Sequence, residues 1–349
     1  MSYHHPSHEM IRHILSPFRQ WLDDPSVEDI MMQRPNEVFI QRGGRTECHE
    51  VDFDFTNQQG LTYLAASLKR QNVGSGLPLL SADLPGGLRL QSVLPPCVHD
   101  GTVAFALRRS KDFAPSLDEL GAGGLFDSTE PLRDGLSRED EALVALYWGA
   151  SGTQDPESRR NAWMAFLKAA VKARKTCLLC GQVGSGKTYS SMALAREIPL
   201  EDRLVTIQDA DEWGALPHRN KVDLFYSKGD QGGARITAND LVEASLRLAM
   251  RWLLLQEMRG SEAFSFLRAR RSGHPGLSTC HAANTREVFP TLALMVRQHP
   301  AAAGVDVPLI EGTLRKMIDV VIHQHRPDGR FEVSEVWFGP AERAMGMQS

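Results

Sequence analysis

Eight residues constrain this chain more than any other stretch: Gly181-Gln182-Val183-Gly184-Ser185-Gly186-Lys187-Thr188. They fit the phosphate-loop template G-x-x-x-x-G-K-[ST] at every fixed position. Three glycines let the backbone curl until successive N–H groups point at one polyphosphate. Lys187 can then set its ammonium against the β- and γ-phosphates, and the Thr188 hydroxyl can ligate Mg²⁺. The template works only between a buried strand and a helix. Residues 175–180 are an apolar run of strand length, and residues 188–197 have helical composition. A glycine-rich turn in a parallel sheet is the bland alternative; the flanks favour a loop that holds a nucleoside triphosphate.

At 349 residues the chain has room for two domains of ordinary size. Its 42% hydrophobic and 23% charged content suits a globular protein that buries a core. A formal net charge of -4 argues against a protein built to coat nucleic acid. Five cysteines without framework spacing point to free thiols in a reducing compartment. Cys177 and Cys180 form a C-x-x-C, but they lie on the strand feeding the phosphate loop and have no second pair. Core thiols are expected there rather than a zinc site. No apolar run approaches the ~18 residues of a membrane span, and no signal-peptide pattern opens the chain, so a cytosolic location is expected.

Before the loop, residues 10–22 repeat apolar positions at three- and four-residue steps, which predicts an amphipathic helix interrupted near Pro17. Such a helix suits either its own domain or a membrane surface; packing on its own domain is the commoner use. Residues 27–33 and 37–41 read as strands joined by a turn at Arg34-Pro35-Asn36. Further strands are expected at 87–94 and 102–108, with a helix at 60–69, giving a small α+β domain. Residues 113–138 read as a linker whose Leu117–Leu120 and Gly124–Phe126 pieces are expected to dock. After residue 160 strands alternate with helices, the pattern of an α/β nucleotide-binding domain.

A phosphate loop binds but does not by itself hydrolyse; a second strand must carry an acid that holds Mg²⁺ or orients water. Leu253-Leu254-Leu255-Gln256-Glu257 supplies an apolar strand followed by a carboxylate. Asp209 and Glu212 follow another apolar strand, 203–208, and their bland reading is a solvated helix N-terminus. His281 stands among small residues, where its ring can reach a ligand, although a lone histidine is more often structural.

Four boxes occur in order: GQVGSGKT, IQDADE at 207–212, LLLQEMRGSEA at 253–263 and SGHPGLSTCHAAN at 272–284. Together they resemble the Walker A, aspartate, Walker B and histidine boxes of the secretion-superfamily traffic ATPases. Residues 27–41, 89–96 and 105–110 resemble the first domain of the hexameric ATPases of bacterial type IV secretion and conjugation. The resemblance implies a RecA-like phosphate-loop ATPase domain preceded by a smaller α+β N-terminal domain, divided at 142/143 with a hinge-like linker over roughly 113–160. It implies ATP and Mg²⁺ as ligands, with Gly181 to Thr188 around the phosphates and Thr188 and Glu257 near the metal. It assigns catalytic roles to Glu257, Glu212 and His281, and to Arg89 and Arg108, with Arg109 beside them, as arginines that close over the nucleotide.

The implied partners are a homo-hexamer, other secretion ATPases and an inner-membrane complex. The implied location is cytoplasmic, peripheral at the inner membrane, with membrane contact and without direct nucleic-acid binding. The implied work is substrate export or pilus assembly. Three positions depart from the family pattern: Gln208 replaces an aspartate-box Glu, residues 249–252 replace an Arg-Pro-Asp-Arg run, and Gln256 replaces a common glycine. Two rival readings are a nucleotide-binding regulator with little turnover, suggested by Gln208, and a nucleic-acid motor, suggested by Arg268, Arg270 and Arg271.

Overall fold

The computed structural model describes residues 6–110, 114–131, 135–227 and 234–346. A six-stranded sheet comes first, from β1 (Val27–Arg34), β2 (Glu37–Arg42), β3 (Arg45–Glu50), β4 (Leu79–Leu84), β5 (Leu88–Val93) and β6 (Ala104–Arg109), in the order β3-β2-β1-β6-β5-β4. All of its neighbours pair antiparallel. The β1–β2 hairpin turns through Asn36, whose φ of 61 lies in the left-handed region an asparagine tolerates. Successive strand side chains point to opposite faces. In β1, Ile30 and Met32 therefore enter one core while Met31 enters another. That is why Ile-Met-Met runs apolar without alternation: both faces of the sheet are covered.

One face lies under α1 (Pro6–Ile14), a 3-10 turn at Ser16–Phe18, α2 (Arg19–Leu22) and α3 (Phe55–Leu68). Pro17 sits in the first turn of that 3-10 segment and breaks the helix where the sequence predicts. Ile11, Leu15, Phe18 and Trp21 are all buried, so the apolar stripe of the N-terminal helix is spent on its own domain. Phe18 packs edge-on to Phe53 at 4.7 Å between ring centroids. Burying such a ring stabilises by ~2–3 kcal/mol, and Phe18→Ala would cost ~3–5 kcal/mol by leaving a cavity.

The second sheet has seven strands in the order β13-β12-β7-β11-β10-β8-β9. They are β7 (Cys177–Gly181), β8 (Leu204–Gln208), β9 (Lys221–Phe225), β10 (Trp252–Leu255), β11 (Gly276–Cys280), β12 (Val320–His325) and β13 (Glu332–Phe338). All neighbours are parallel except the terminal β12–β13 hairpin. Leu253 and Leu255 face one helical layer while Trp252 and Leu254 face the other, the doubly buried pattern of an α/β sheet. One layer holds α8 (Ala238–Ser245), α9 (Glu262–Arg271), α10 (Val288–Arg297) and α11 (Val307–Met317). The other holds α5 (Arg138–Gly152), α6 (Pro156–Lys172), α7 (Lys187–Ala195) and α12 (Gly339–Gly346).

Several elements depart from the sequence expectations for physical reasons. β3 is an edge strand whose residues are mostly exposed, so it lacks an apolar signature. β11 is fully buried yet built of small residues, because Gly276 lies against Phe266; a Cβ there would come within 2.4 Å of that ring. Part of the stretch expected as a linker, 113–160, is helical. Residue 113 and residues 132–134 of it lie outside the described residues, and α5 and α6 pack together onto β7. Residue 142 falls inside α5. The short helix α4 (Leu117–Ala122) is capped by Ser116, but Leu117, Leu120, Leu125 and Phe126 are exposed rather than docked.

The two sheets share an interface at the start of the parallel strands and along β9. Arg203, fully buried just before β8, donates to Gln33 Oε1 at 2.8 Å and to Leu248 O at 2.7 Å. Its burial pulls the guanidinium pKa down to about 9. The backbone N–H of Phe225 donates to Cys97 O at 2.9 Å, so first-domain backbone extends the β9 edge.

Candidate nucleotide site

β7 delivers the phosphate loop from a fully buried strand, and the loop's glycines are there for contact as well as curvature. Gly181 has φ 148, and a Cβ on it would sit 2.1 Å from the Gln324 carbonyl oxygen. Gly186 opens α7 with φ 87. Lys187, the first residue of α7, is 8% exposed and donates to Gly181 O and Gln182 O, each at 2.8 Å. Burial lowers its pKa, opposed mainly by the nearby Glu257 carboxylate. The ammonium thus lies against the loop's own carbonyl oxygens, at the place where the template sets it against phosphate. The Ser185 hydroxyl is buried without a partner among the described residues, and Gln182, Val183, Gly184 and Thr188 are exposed.

Two further strands bring side chains to the same end of the sheet. Glu257 follows β10, and one carboxylate oxygen lies 2.8 Å from His281 Nε2, which follows β11. The contact is an ion-pair distance rather than an aligned hydrogen bond. The other ring nitrogen of His281 is 3.4 Å from Lys187 Nζ and 3.2 Å from Gly181 O. On its far side Glu257 accepts from Arg259, which also reaches Asp209 at 3.1 Å. The result is one line of polar groups: Lys187, His281, Glu257, Arg259, Asp209. The Gln256 amide oxygen accepts the Asp209 N–H at 2.8 Å, joining the strand ends of β8 and β10.

Arg259 carries no signal in the sequence, and Gln256 stands out there only as a departure at a position where glycine is common. Nothing in a single sequence shows that the side chain two residues past the acid turns back onto it. Gln208, in turn, is wholly buried, and its amide oxygen accepts the N–H groups of Glu212 and Trp213 at 3.0 and 3.2 Å. It holds the turn after β8 and does not face the loop as a base. One Glu212 carboxylate oxygen is buried without a partner, and among the described residues no hydrogen bond or ion pair ties Glu212 to Lys187, His281 or Glu257.

Arg89 and Arg108 are elsewhere. They are cross-strand neighbours on β5 and β6 and line a cavity of about 370 Å³ with Arg174, Arg247, Arg251 and His274. Those last four precede β7, β10 and β11, so the cavity lies at the opposite end of the sheet from Lys187. Within one chain the expected closure of these arginines over the loop does not occur. Arg109 donates to Leu22 O and is occupied in the first domain. Of residues 249–252, Ala249, Met250 and Arg251 border the same cavity, with Ala249 in the left-handed region at φ 54, while Trp252 is buried in the core.

Cys177 and Cys180 face opposite helical layers, so they cannot share a ligand, and burial pushes the Cys180 thiol up to about 12. Arg268 pairs with Glu243, and Arg270 with Asp319, so these two members of the basic run on α9 are engaged in the fold. The partnerless Ser185 hydroxyl, the Glu257 oxygen without an aligned donor and the steric need for glycine at 181 fit a bound polyphosphate. A hard divalent cation fits the exposed Thr188 hydroxyl and the Glu257 carboxylate by donor type. Among the described residues no helix is long and apolar enough to cross a membrane.

Comparison with known proteins gives the same reading. The family described as "Type II/IV secretion system protein" matches residues 152–326. Protein VirB11 of Rhizobium radiobacter is 35% identical over 340 residues, covering 96% of each chain. The type IV secretion system protein VirB11 of Brucella suis biovar 1 is 34% identical over 342 residues, covering 96% of this chain and 92% of that protein. Among solved structures, the VirB11 ATPase of the Brucella suis type IV secretion system in complex with sulphate superposes with a TM-score of 0.89, at 32% identity, over 98% of both chains. Fold, loop and relatives agree over nearly the whole length: the chain belongs to the VirB11 family of type IV secretion ATPases.

Proposed function

We propose that this ATPase holds MgATP at the Gly181–Thr188 loop and works as a homo-hexameric ring, in which Arg89 and Arg108 of one subunit serve the nucleotide of a neighbour. The observation that carries the nucleotide assignment is the Lys187–His281–Glu257 line at the loop. Lys187 leaves its carbonyl partners to bind the β- and γ-phosphates. Bound Mg²⁺, held through Thr188 and Glu257, supplies charge neutralisation on the phosphate oxygens. Glu257 orients the attacking water and takes its proton, and His281, seated between Glu257 and Lys187, reports the γ-phosphate to the acid. Glu212 supports this from the end of β8 without direct contact.

Action in trans is supported by position: five arginines with His274 line a cavity far from the chain's own loop. Although Arg174 is paired with Asp202 and Arg89 lies 3.9 Å from Asp83, Arg247 and Arg251 reach the Ser81 hydroxyl and the Gly44 carbonyl rather than a carboxylate. A guanidinium stabilises charge on transferring phosphoryl oxygens, and supplying it from a neighbour makes turnover depend on the ring. The connection between the two domains is assigned to the stretch that precedes α5, within the linker expected over 113–160. Work on exported substrate or pilus subunits, alongside other secretion ATPases and an inner-membrane complex, is proposed from the family. So is a cytoplasmic place at the inner membrane.

Phosphate release from wild type, Lys187→Ala and Glu257→Gln tests the assignment. Wild type is expected to release phosphate in a Mg²⁺-dependent way, with Lys187→Ala at background and Glu257→Gln slowed by about 10²–10³-fold. Equal background release from all three would sink it.

A further inference from the structure

The β12–β13 hairpin reaches over the phosphate loop and presents aromatic surface there. Phe331 lies so close to Gly186 that a Cβ on that glycine would be 2.7 Å from Phe331 Cδ1. Tyr189, the residue after Thr188, is stacked beside it, with ring centroids 6.4 Å apart and planes 26° from parallel. The Arg326 guanidinium sits 4.8 Å over the Phe331 ring. Yet Phe331 is 49% exposed and Tyr189 74% exposed. Two large rings next to a ligand loop, ordered by each other and by a cation but left in water, form a surface ready to be covered.

Sheet order says what covers it. β7 lies between β11, which with β10 beyond it carries His281 and Glu257, and β12, which carries the hairpin. The reacting end of a bound polyphosphate points to the β11 side. Its other end, where a nucleoside is attached, leaves toward the hairpin. We propose that Tyr189 and Phe331, steadied by Arg326, form the platform on which the nucleobase stacks. A ring face reads no base edge, so the site takes purine nucleoside triphosphates as a class, ATP and GTP alike. This rests on the assignment of the loop as a nucleotide site.

The test compares binding of ATP, GTP and inorganic tripolyphosphate, which has no base, by calorimetry in the presence of Mg²⁺. For wild type, ATP and GTP bind within about threefold of each other, and both bind more tightly than tripolyphosphate. Phe331→Ala and Tyr189→Ala each weaken both nucleotides about tenfold or more and leave tripolyphosphate unchanged, the order of effect expected for losing one base–aromatic stack. Phe331→Leu, which keeps bulk against Gly186 but has no ring, behaves like Phe331→Ala, whereas Phe331→Trp retains nucleotide binding. Both residues are exposed, so the fold is not at risk. If nucleotide and tripolyphosphate weaken together, Phe331 merely props the loop and the platform is wrong. Unchanged nucleotide binding in the alanine variants, or a strong preference between ATP and GTP, also overturns it. A wild type that binds neither nucleotide nor tripolyphosphate refutes the loop assignment itself, a separate result.

Discussion

The two ends of the seven-stranded sheet hold opposite kinds of electrostatics. At the phosphate end each charge has a neighbour of the other sign: Lys187 near Glu257 through His281, Arg259 between Glu257 and Asp209. At the far end, Arg89, Arg108, Arg174, Arg247 and Arg251 meet in one cavity. Asp202 pairs with Arg174 and Asp83 lies 3.9 Å from Arg89, Arg247 and Arg251 hold only the Ser81 hydroxyl and the Gly44 carbonyl among the described residues, and burial raises the pKa of Asp29 in the cavity wall. A site that is neutralised from within its own chain is preorganised for the ligand. A site with surplus cations is half of a contact, awaiting an anion from outside. On the proposed reading, one chain carries a complete binding loop and only part of the environment for catalysis.

The largest effect should come from removing the surplus cations. Arg89→Ala with Arg108→Ala is expected to cut phosphate release about 10³-fold while nucleotide binding to the isolated subunit stays unchanged, because the arginines do not touch that subunit's loop. Loss of binding in the isolated subunit would erase the distinction between the two ends. At the phosphate end, Arg259→Gln frees Glu257 from Asp209; about a tenfold fall in kcat with unchanged KM is expected, since a mis-aimed carboxylate affects the reacting step alone. A change confined to KM would place Arg259 in binding instead.

A subtler contrast concerns titration. Burial holds the His218, His274 and His323 rings below the ordinary histidine value. The unfolded chain therefore binds more protons as pH falls past about 6.5, so their contribution to stability is full above that value and declines as pH drops toward the folded values. Tm should fall between about pH 7.5 and 5.5, and His218→Gln, which keeps a donor for the Ile198 carbonyl, should flatten part of the slope. A flat Tm profile would refute this. The smallest effect is expected from Gln208→Glu. The two N–H groups that Gln208 accepts can serve a carboxylate equally, and the side chain does not face the loop, so kcat should change less than about threefold, although the Thr206 hydroxyl, which accepts from Gln208 and donates to Asp223, would have to turn. A large gain in turnover would make Gln208 the defect its family departure suggested.

Sequence carried the phosphate end of the molecule well because there the chemistry is local: GQVGSGKT needs its own backbone, and Glu257 and His281 need only be the next residues after β10 and β11. The apolar runs of β1, β7, β8 and β10 were equally legible. What sequence did not carry depends on distant packing. β11 hides as small residues because Phe266 occupies the space above Gly276. β3 hides because an exposed edge has no apolar face. The side of the parallel sheet against which Arg89 and Arg108 settle is fixed by Gln33, Arg203, Asn220 and the Cys97–Phe225 backbone pairing, contacts between residues more than a hundred positions apart for all but one pair. A resemblance placed those arginines at the nucleotide; only the fold places them at the wrong end of their own chain.

The most direct measurement is therefore a mixing experiment on assembled rings. Subunits carrying Lys187→Ala have intact arginines and a dead loop; subunits carrying Arg89→Ala with Arg108→Ala have an intact loop and no arginines. Each is inactive alone. If the arginines serve a neighbour's nucleotide, co-assembled rings regain phosphate release wherever a live loop faces live arginines, reaching about a quarter of wild type at equal mixing if the contact is random and one-directional. If every mixture stays at the background of the two parents, the arginines act within their own chain and the account of the two ends is wrong.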